Sequence, residues 1–218
     1  MPQPVQEACQ ILLRREGGPL PAGEAADCVS AAMVAGEGGL QVLATDTSWL
    51  PNGSYSVRFT TGPPFSLFLD SPEQDLSLSI GADGGALRTR GAVTGADPEG
   101  SAEEASAAVL VSAAALTTDP TRVGALLGTA SAVSVEYDVP VEGAVRTVLR
   151  ADVREGSDGA GAEQALVAAG TLTLVLDDYY RPVRIEIRAV TQGIPSTITA
   201  VNTDWGAAVV PRSVRDGD

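Results

Sequence analysis

The spacing of apolar residues changes once near the start of the chain. The first 37 residues are predicted to form two helices, Gln3–Arg15 and Gly23–Ala35, separated by a Gly- and Pro-rich break. From about residue 38 onward, apolar and polar residues alternate one by one over several short runs. Such alternation predicts antiparallel strands that bury one face and leave the other in water.

The alternation is interrupted in the middle of the chain by signals for two more helices. Ser101 and Glu104 form a capping box, which opens an Ala-rich helix ending near Leu116. Asp119 followed by Pro120 begins a second, shorter helix. Strand-like alternation returns at about residue 131 and, apart from a polar loop predicted over residues 155–161, continues to about residue 200.

The fold class predicted from this order is α+β, with about ten or eleven antiparallel strands in one large sheet. Its apolar face has to be covered, and the predicted helices are the covering available. No internal repeat or abrupt change of composition divides the chain. We therefore expect a single domain over residues 1–218, with an N-terminal helical segment (1–37) followed by the sheet and central helices (38–211).

Composition narrows the possible chemistry. The net charge is −14, which disfavours binding to nucleic acid or to an anionic membrane surface. All 14 basic residues are Arg, and the chain contains no His and no Lys. Their absence removes catalytic Ser–His and Cys–His pairs, Schiff-base lysines and imidazole metal sites, so no cofactor and no metal are expected.

The residues most like a catalytic site are the two carboxylates and two phenols of Asp177–Tyr180. Neighbouring residues on a strand point to opposite faces, so a hairpin turn explains this cluster better than an acid/base pair does. Arg184 and Arg188 share a strand face with Glu186, which predicts a solvated ion-paired surface. The protein is therefore predicted not to be an enzyme.

Two short motifs allow alternative interpretations. Asn52-Gly53-Ser54 spells a glycosylation acceptor, but a turn between two strands is the simpler interpretation. Cys9 and Cys28 could form a disulfide or remain two buried thiols.

Membrane attachment has little support in the sequence. The longest candidate for a membrane span, 105–118, has 14 uncharged residues and is shorter than the roughly 18 to 20 residues that a membrane-spanning helix needs. The first residues carry neither a basic start nor an apolar run. Contact with a membrane is therefore expected only through an anchor that this chain does not contain.

The second half of the chain resembles the LppX/LprG-type lipoproteins of the bacterial cell envelope over about residues 119–211. The matching segments are Asp119–Leu127, Leu174–Asp177, Arg181–Ile185, Thr197–Thr199, Asn202–Gly206 and Val209–Pro211. The resemblance implies a LolA-like half-barrel, which is a strongly curved antiparallel sheet whose concave face is covered by helices over an apolar cavity for acyl chains. The sequence departs from the family pattern because it lacks the anchoring Cys after an export signal and carries the Cys9/Cys28 pair.

The resemblance also implies a function and a location. We expect a non-enzymatic carrier of a lipid or lipidated ligand, located outside the cytoplasm in the cell envelope, with a protein partner there as a further possibility. In that compartment Cys9 and Cys28 are expected to form a disulfide. The alternative is an extracytoplasmic sensor or protein-interaction domain with the same half-barrel and a filled cavity.

The strand phase gives the candidate ligand-binding residues. Residues on the apolar phase should face the concave side, and their polar neighbours Ser56, Arg58, Ser79, Ser134 and Thr173 should face away from it. The predicted cavity residues are Val57, Phe59, Leu78, Val133, Val135, Leu172 and Leu174.

Overall fold

The computed structural model describes residues 1–47, 50–154, 169–191 and 194–215. The chain forms one twelve-stranded antiparallel sheet that does not close into a barrel, with helices packed on one face. This is the α+β half-barrel predicted from the sequence. The predicted loop at 155–161 lies outside the described residues.

Five helices are present within the described ranges, and all of them belong to the two predicted helical regions. They are α1 Gln3–Ala8, α2 Gln10–Leu13, α3 Ala22–Ala35, α4 Ala102–Ala115 and α5 Pro120–Gly128. The first predicted helix is divided at Cys9, which leaves the helical conformation. None of these helices is both long and apolar enough to cross a membrane.

The strands alternate in direction throughout the sheet. Their bounds are β1 Gly18–Leu20, β2 Gly38–Asp46, β3 Gly53–Thr60, β4 Ser66–Ser71, β5 Leu76–Gly81, β6 Gly84–Thr89, β7 Ala92–Gly95, β8 Ala130–Val141, β9 Ala144–Arg154, β10 Ala169–Leu176, β11 Pro182–Thr191 and β12 Ile194–Thr203. A single 3-10 turn, Pro72–Gln74, connects β4 to β5.

The strand order is β1-β8-β9-β10-β11-β12-β2-β3-β4-β5-β6-β7. Two local meanders, β2–β7 and β8–β12, therefore meet where β12 pairs with β2. Both outer strands are short, with three residues in β1 and four in β7. Short outer strands expose few unpaired backbone groups, which limits edge-to-edge association.

The helices cover one face of the sheet, which we call the concave face. Helices α3 and α5 pack on each other and on β8, while α4 packs on β5, β6 and β7. Buried side chains from the helices and from all the central strands form one continuous hydrophobic cluster. The concave face is therefore the core of the molecule.

The predicted helix caps are confirmed. The Ser101 hydroxyl accepts a hydrogen bond from the Glu104 amide at 3.3 Å, and the Ser101 amide donates to Glu104 Oε2 at 2.7 Å. These hydrogen bonds hold the pKa of the Glu104 carboxyl below its ordinary value. At α5, Asp119 Oδ1 accepts from the Thr121 amide at 2.9 Å, and Pro120 occupies the first turn.

The disulfide expected between Cys9 and Cys28 is present and joins the α1–α2 region to α3. Both residues are fully buried. A cross-link at this position keeps the short helices α1 and α2 packed on α3. Helices this short do not persist in water when they are isolated.

Two differences from the sequence prediction concern the number of strands. The Gly- and Pro-rich break contains β1, whose three residues pair with β8. The alternation also predicts one strand over Leu87–Val93, where the structure has two strands, β6 and β7, joined by a tight turn in which Arg90 and Gly91 both have positive φ. Runs this short carry too few alternations to be separated by period alone.

Strand β8 contains a bulge that reverses its faces. Its register with β9 shifts between Glu136 and Val139, so an extra residue enters β8 there. The bulge is held by the N-terminal helices: the Tyr137 hydroxyl donates to the Leu12 carbonyl at 2.9 Å, and Arg15 forms an ion pair with Asp138. Val133 and Val135 face the core before this bulge, whereas Val139 and Val141 lie on the outer face after it.

Three tyrosines are expected to make the folded protein less stable at high pH. Burial raises the pKa of Tyr55, Tyr137 and Tyr180 above the ordinary value of 10.0. The folded state holds these protons more tightly than the unfolded chain, so their stabilising contribution is complete below about pH 10 and is lost as the pH rises through the folded-state pKa. Because the sequence has no His and no Lys, we expect the urea midpoint to be level between about pH 6 and 9 and to fall above about pH 10.

Tyr180→Phe provides the control for this prediction. The Tyr180 ring is buried, and its hydroxyl makes no hydrogen bond to the described residues. The variant should keep its stability at neutral pH and lose less of it in alkali. A midpoint that changes between pH 6 and 9 would contradict the assignment to tyrosine.

Candidate functional site

The structure places all seven predicted cavity residues on the concave face. Each has between 0 and 3% of its surface exposed: Val57, Phe59, Leu78, Val133, Val135, Leu172 and Leu174. They lie in two groups, one on β3 and β5 and the other on β8 and β10. Strands β11, β12 and β2 separate the groups.

Apolar residues that the sequence analysis did not select connect the two groups into one surface. Leu174 pairs with Ile185, which pairs with Ala200, which in turn pairs with Leu43 of β2. Each of these side chains is at most 1% exposed. The concave face is thus a continuous apolar surface across the middle of the sheet, buried in this structure under helices.

The polar neighbours lie on the opposite, outer face as predicted. Ser56, Arg58 and Ser134 are exposed and Thr173 is half-buried. Ser79 also points outward but is only 5% exposed, because the C-terminal segment crosses over it. The Val214 amide donates to the Ser79 hydroxyl at 3.1 Å.

This C-terminal segment borders a groove of about 990 Å³ on the outer face of β3–β6. Val214 is 1% exposed, and its carbonyl accepts a hydrogen bond from the Arg88 guanidinium. Arg58 and Arg212 line the groove together with Asp70 and Asp75. The mixture of charges gives the groove no clear ligand preference.

The helices present mainly small side chains to the sheet. The buried residues of α4 are Ala107, Val111, Ala113, Ala114 and Ala115. Helix α3 buries three alanines, Val29, Met33 and the disulfide-bonded Cys28. Small side chains bury little apolar area, so the attachment of these helices to the sheet is weaker than that of Leu-rich helices would be.

A buried polar network ties the end of α4 to the centre of the sheet. The Thr117 hydroxyl donates to Gln41 Oε1 at 2.9 Å, and Gln41 Nε2 donates to Asn202 Oδ1 at 2.7 Å. Asn202 Nδ2 donates to the Pro182 carbonyl at 2.9 Å. Gln41 and Asn202 were not among the residues predicted from the sequence, although each is a polar residue at an apolar-phase position, and that signal could have identified them.

One end of the half-barrel is closed by Trp205. Its ring meets Phe59 edge to face, with the ring centroids 5.4 Å apart, and its indole N–H donates to the Pro182 carbonyl at 3.0 Å. A Cβ atom at Gly36 would lie 2.5 Å from the Trp205 ring, so only glycine fits there. The Asp-Trp-Gly segment is therefore a structural closure of this end.

The Asp177–Tyr180 cluster is a hairpin turn, as the sequence favoured. The Tyr180 amide donates to the Asp177 carbonyl at 2.9 Å. Asp177 Oδ1 accepts from the amides of Tyr179 and Arg181, and Oδ2 accepts from the Arg181 guanidinium at 2.8 Å. With both carboxylate oxygens occupied, Asp177 has a structural role.

The remaining charged residues follow the predicted surface pattern. Arg184 lies 3.6 Å from Glu186, and Arg188 also forms an ion pair with Glu186. Over the parts of the chain that the structure describes, no three His, Cys, Asp or Glu side chains come together as a metal site. The concave apolar face is the candidate ligand-binding surface, and in this structure it is covered by helices.

An open antiparallel sheet with helices on its concave face defines the half-barrel class of fold, and two solved structures share it with this chain. The crystal structure of LprF from Mycobacterium bovis superposes with a TM-score of 0.55 and 15% sequence identity, covering 90% of this chain and 99% of that one. The lipoprotein LppX of Mycobacterium tuberculosis superposes with a TM-score of 0.52 and 14% identity, covering 83% and 98%. The fold implied by the sequence resemblance is confirmed.

No protein-family model and no curated protein sequence matches the chain. At identities this low, the two superpositions establish the shared fold, and function has to be argued from the residues of this chain.

Proposed function

We propose that this protein is a non-enzymatic carrier that binds an apolar, lipidic molecule on its concave face, outside the cytoplasm in the bacterial cell envelope. The observation that carries the proposal is the continuous apolar surface on the concave face, which runs from Val135 through Leu174 and Ala200 to Val57. The fold that forms this surface is shared with LprF and with the lipoprotein LppX.

Binding energy would come from burial of acyl chains. Each methylene group transferred from water contributes about 0.8 kcal/mol, so a long chain can offset the partial detachment of a helix. The Ala-rich α4 is the helix best suited to move, because the side chains that it buries where it packs on β5, β6 and β7 are small.

The disulfide supports the proposed location. A buried Cys9–Cys28 bond forms and persists in oxidising compartments and is rare in the cytosol. Asp177 is the leading candidate for a catalytic carboxylate, but its oxygens accept hydrogen bonds from backbone amides and pair with Arg181. This supports a binding role for the protein over a catalytic one.

The second candidate is an extracytoplasmic sensor or protein-interaction domain whose concave side is permanently filled. It is favoured by one specific observation: every predicted cavity residue is at most 3% exposed in this structure. The two candidates differ in whether the helices ever leave the concave face to admit a ligand.

The deciding experiment is mass spectrometry of an organic extract of the protein purified from a bacterial host. We expect a retained lipid at near-stoichiometric amount, because a buried acyl chain dissociates slowly. A protein of similar size purified identically serves as the control for carried-over membrane lipid. Absence of any retained lipid, together with failure to bind an added fatty-acyl ester, would contradict the carrier and favour the interaction domain.

A further inference from the structure

One buried hydroxyl on the concave face lacks a partner. Ser196 of β12 is 3% exposed, and within the described parts of the chain its Oγ is the one buried side-chain oxygen or nitrogen that makes no hydrogen bond. It shares its strand face with Ile198 and Ala200, which belong to the apolar surface. A buried polar atom without a partner is unfavourable, and in native structures such an atom calls for an explanation.

Other buried hydroxyls at the same end of the sheet are satisfied within the protein. Thr45, near the end of β2, donates to the Pro51 carbonyl at 2.9 Å. Ser71, the last residue of β4, donates to the Ser54 carbonyl at 3.3 Å and is 1% exposed. Ser196 differs from both because its hydroxyl makes no hydrogen bond with any residue that the structure describes.

The surroundings of Ser196 are small and apolar. Across the sheet it pairs with Ala189, which pairs with Gly170, which pairs with Val153. The next row inward holds the larger residues Ile198 and Leu172. These side chains offer the Ser196 hydroxyl no hydrogen-bond acceptor within the sheet.

We infer that Ser196 is the polar anchor of the ligand site, donating a hydrogen bond to an acceptor oxygen, such as an ester carbonyl, next to an acyl chain that lies along the concave face. This inference rests on the proposed carrier function and specifies the ligand class: an acyl ester is preferred over a plain hydrocarbon. An acyl ester carries the missing acceptor directly beside its apolar chain, so the hydroxyl is satisfied only when the ligand is bound.

The test compares two probes of similar length, methyl palmitate and hexadecane, by displacement of a fluorescent fatty-acyl probe. The parent protein should bind the ester more tightly than the alkane. Ser196→Ala should weaken ester binding about fivefold, the equivalent of one neutral hydrogen bond, and leave alkane binding unchanged. Ser196→Cys replaces the hydroxyl with a thiol of similar size that is a weak hydrogen-bond donor. It should therefore weaken ester binding as Ser196→Ala does and leave alkane binding unchanged.

Ser71→Ala is the matched control, since it removes a buried hydroxyl at the same end of the sheet that already has a protein partner. It should lower the urea midpoint and leave the ratio of ester to alkane affinity unchanged. Ser196→Ala should not lower the midpoint, because its hydroxyl stabilises nothing in the ligand-free protein.

The outcomes separate this inference from the function on which it rests. The anchor would be wrong if the parent protein bound the two probes equally. It would also be wrong if Ser196→Ala and Ser196→Cys kept the preference for the ester. Neither result would contradict the carrier function. A parent protein that binds neither probe would overturn both.

Discussion

Val135→Trp is expected to lower the free energy of unfolding by about 1 to 3 kcal/mol and to abolish retention of an acyl lipid. Val135 is 2% exposed and lies between Gly18 of β1 and Leu149 of β9, under the α3 and α5 helices. An indole at this position overfills the ligand-free core and occupies space that an acyl chain would need. Urea unfolding and lipid extraction of the same preparation measure the two effects.

Ser134→Trp is the matched control for this variant. Ser134 is the neighbouring residue on the same strand, but it is exposed on the outer face. The same indole placed there should leave both stability and lipid content close to those of the parent. The carrier would be contradicted if the parent protein held no lipid while Val135→Trp was still destabilised. That result would indicate a permanently filled core on the concave side and would favour the interaction domain.

Gly38→Ala is expected to destabilise the protein by about 3 kcal/mol. Gly38 begins β2 with φ +137°, in a region that residues with a Cβ rarely adopt. An added Cβ would lie 2.3 Å from the Phe59 carbonyl oxygen and 2.9 Å from the Cα of Thr60. Both contacts are with backbone, so relief requires β2 and β3 to move apart beside a predicted cavity residue.

The control for Gly38→Ala is Gly23→Ala. Gly23 lies in the first turn of α3, and a Cβ there would have no atom within 4 Å outside the backbone of its own helix and its chain neighbours. Alanine favours the helix over glycine, so the control should be as stable as the parent or slightly more stable. Equal urea midpoints for Gly38→Ala and the parent would show that the β2–β3 junction is not as rigid as these distances indicate.

The sequence predicts those features of the fold that depend on local period and capping. The alternation around Val57 and Leu172 identifies strands and their buried faces because the side chains of a strand alternate strictly between its two faces. Ser101 and Asp119 mark where helices begin because their side chains satisfy amides that the helix leaves free. These features need no knowledge of distant contacts.

The remaining features depend on residues far apart in the chain. Ser79 has the spacing of an exposed residue and is buried by Val214, whose position no local pattern reveals. The bulge in β8 lies against Leu12 and Arg15, which are distant from it in the sequence. Ser196 is visible as a polar residue at an apolar-phase position, but only the structure shows that its hydroxyl has no partner.

The position of β12 in the centre of the sheet has a consequence for the order of folding. Strands β2–β7 and β8–β11 can each form from neighbouring segments, whereas pairing such as that of Val42 with Val201 joins the two meanders across most of the chain. Closing so long a loop is entropically costly and slow compared with forming a hairpin. Until β12 is available, β2 and β11 are both open edges, so the sheet can be completed only after nearly all of the chain has been synthesised or exported.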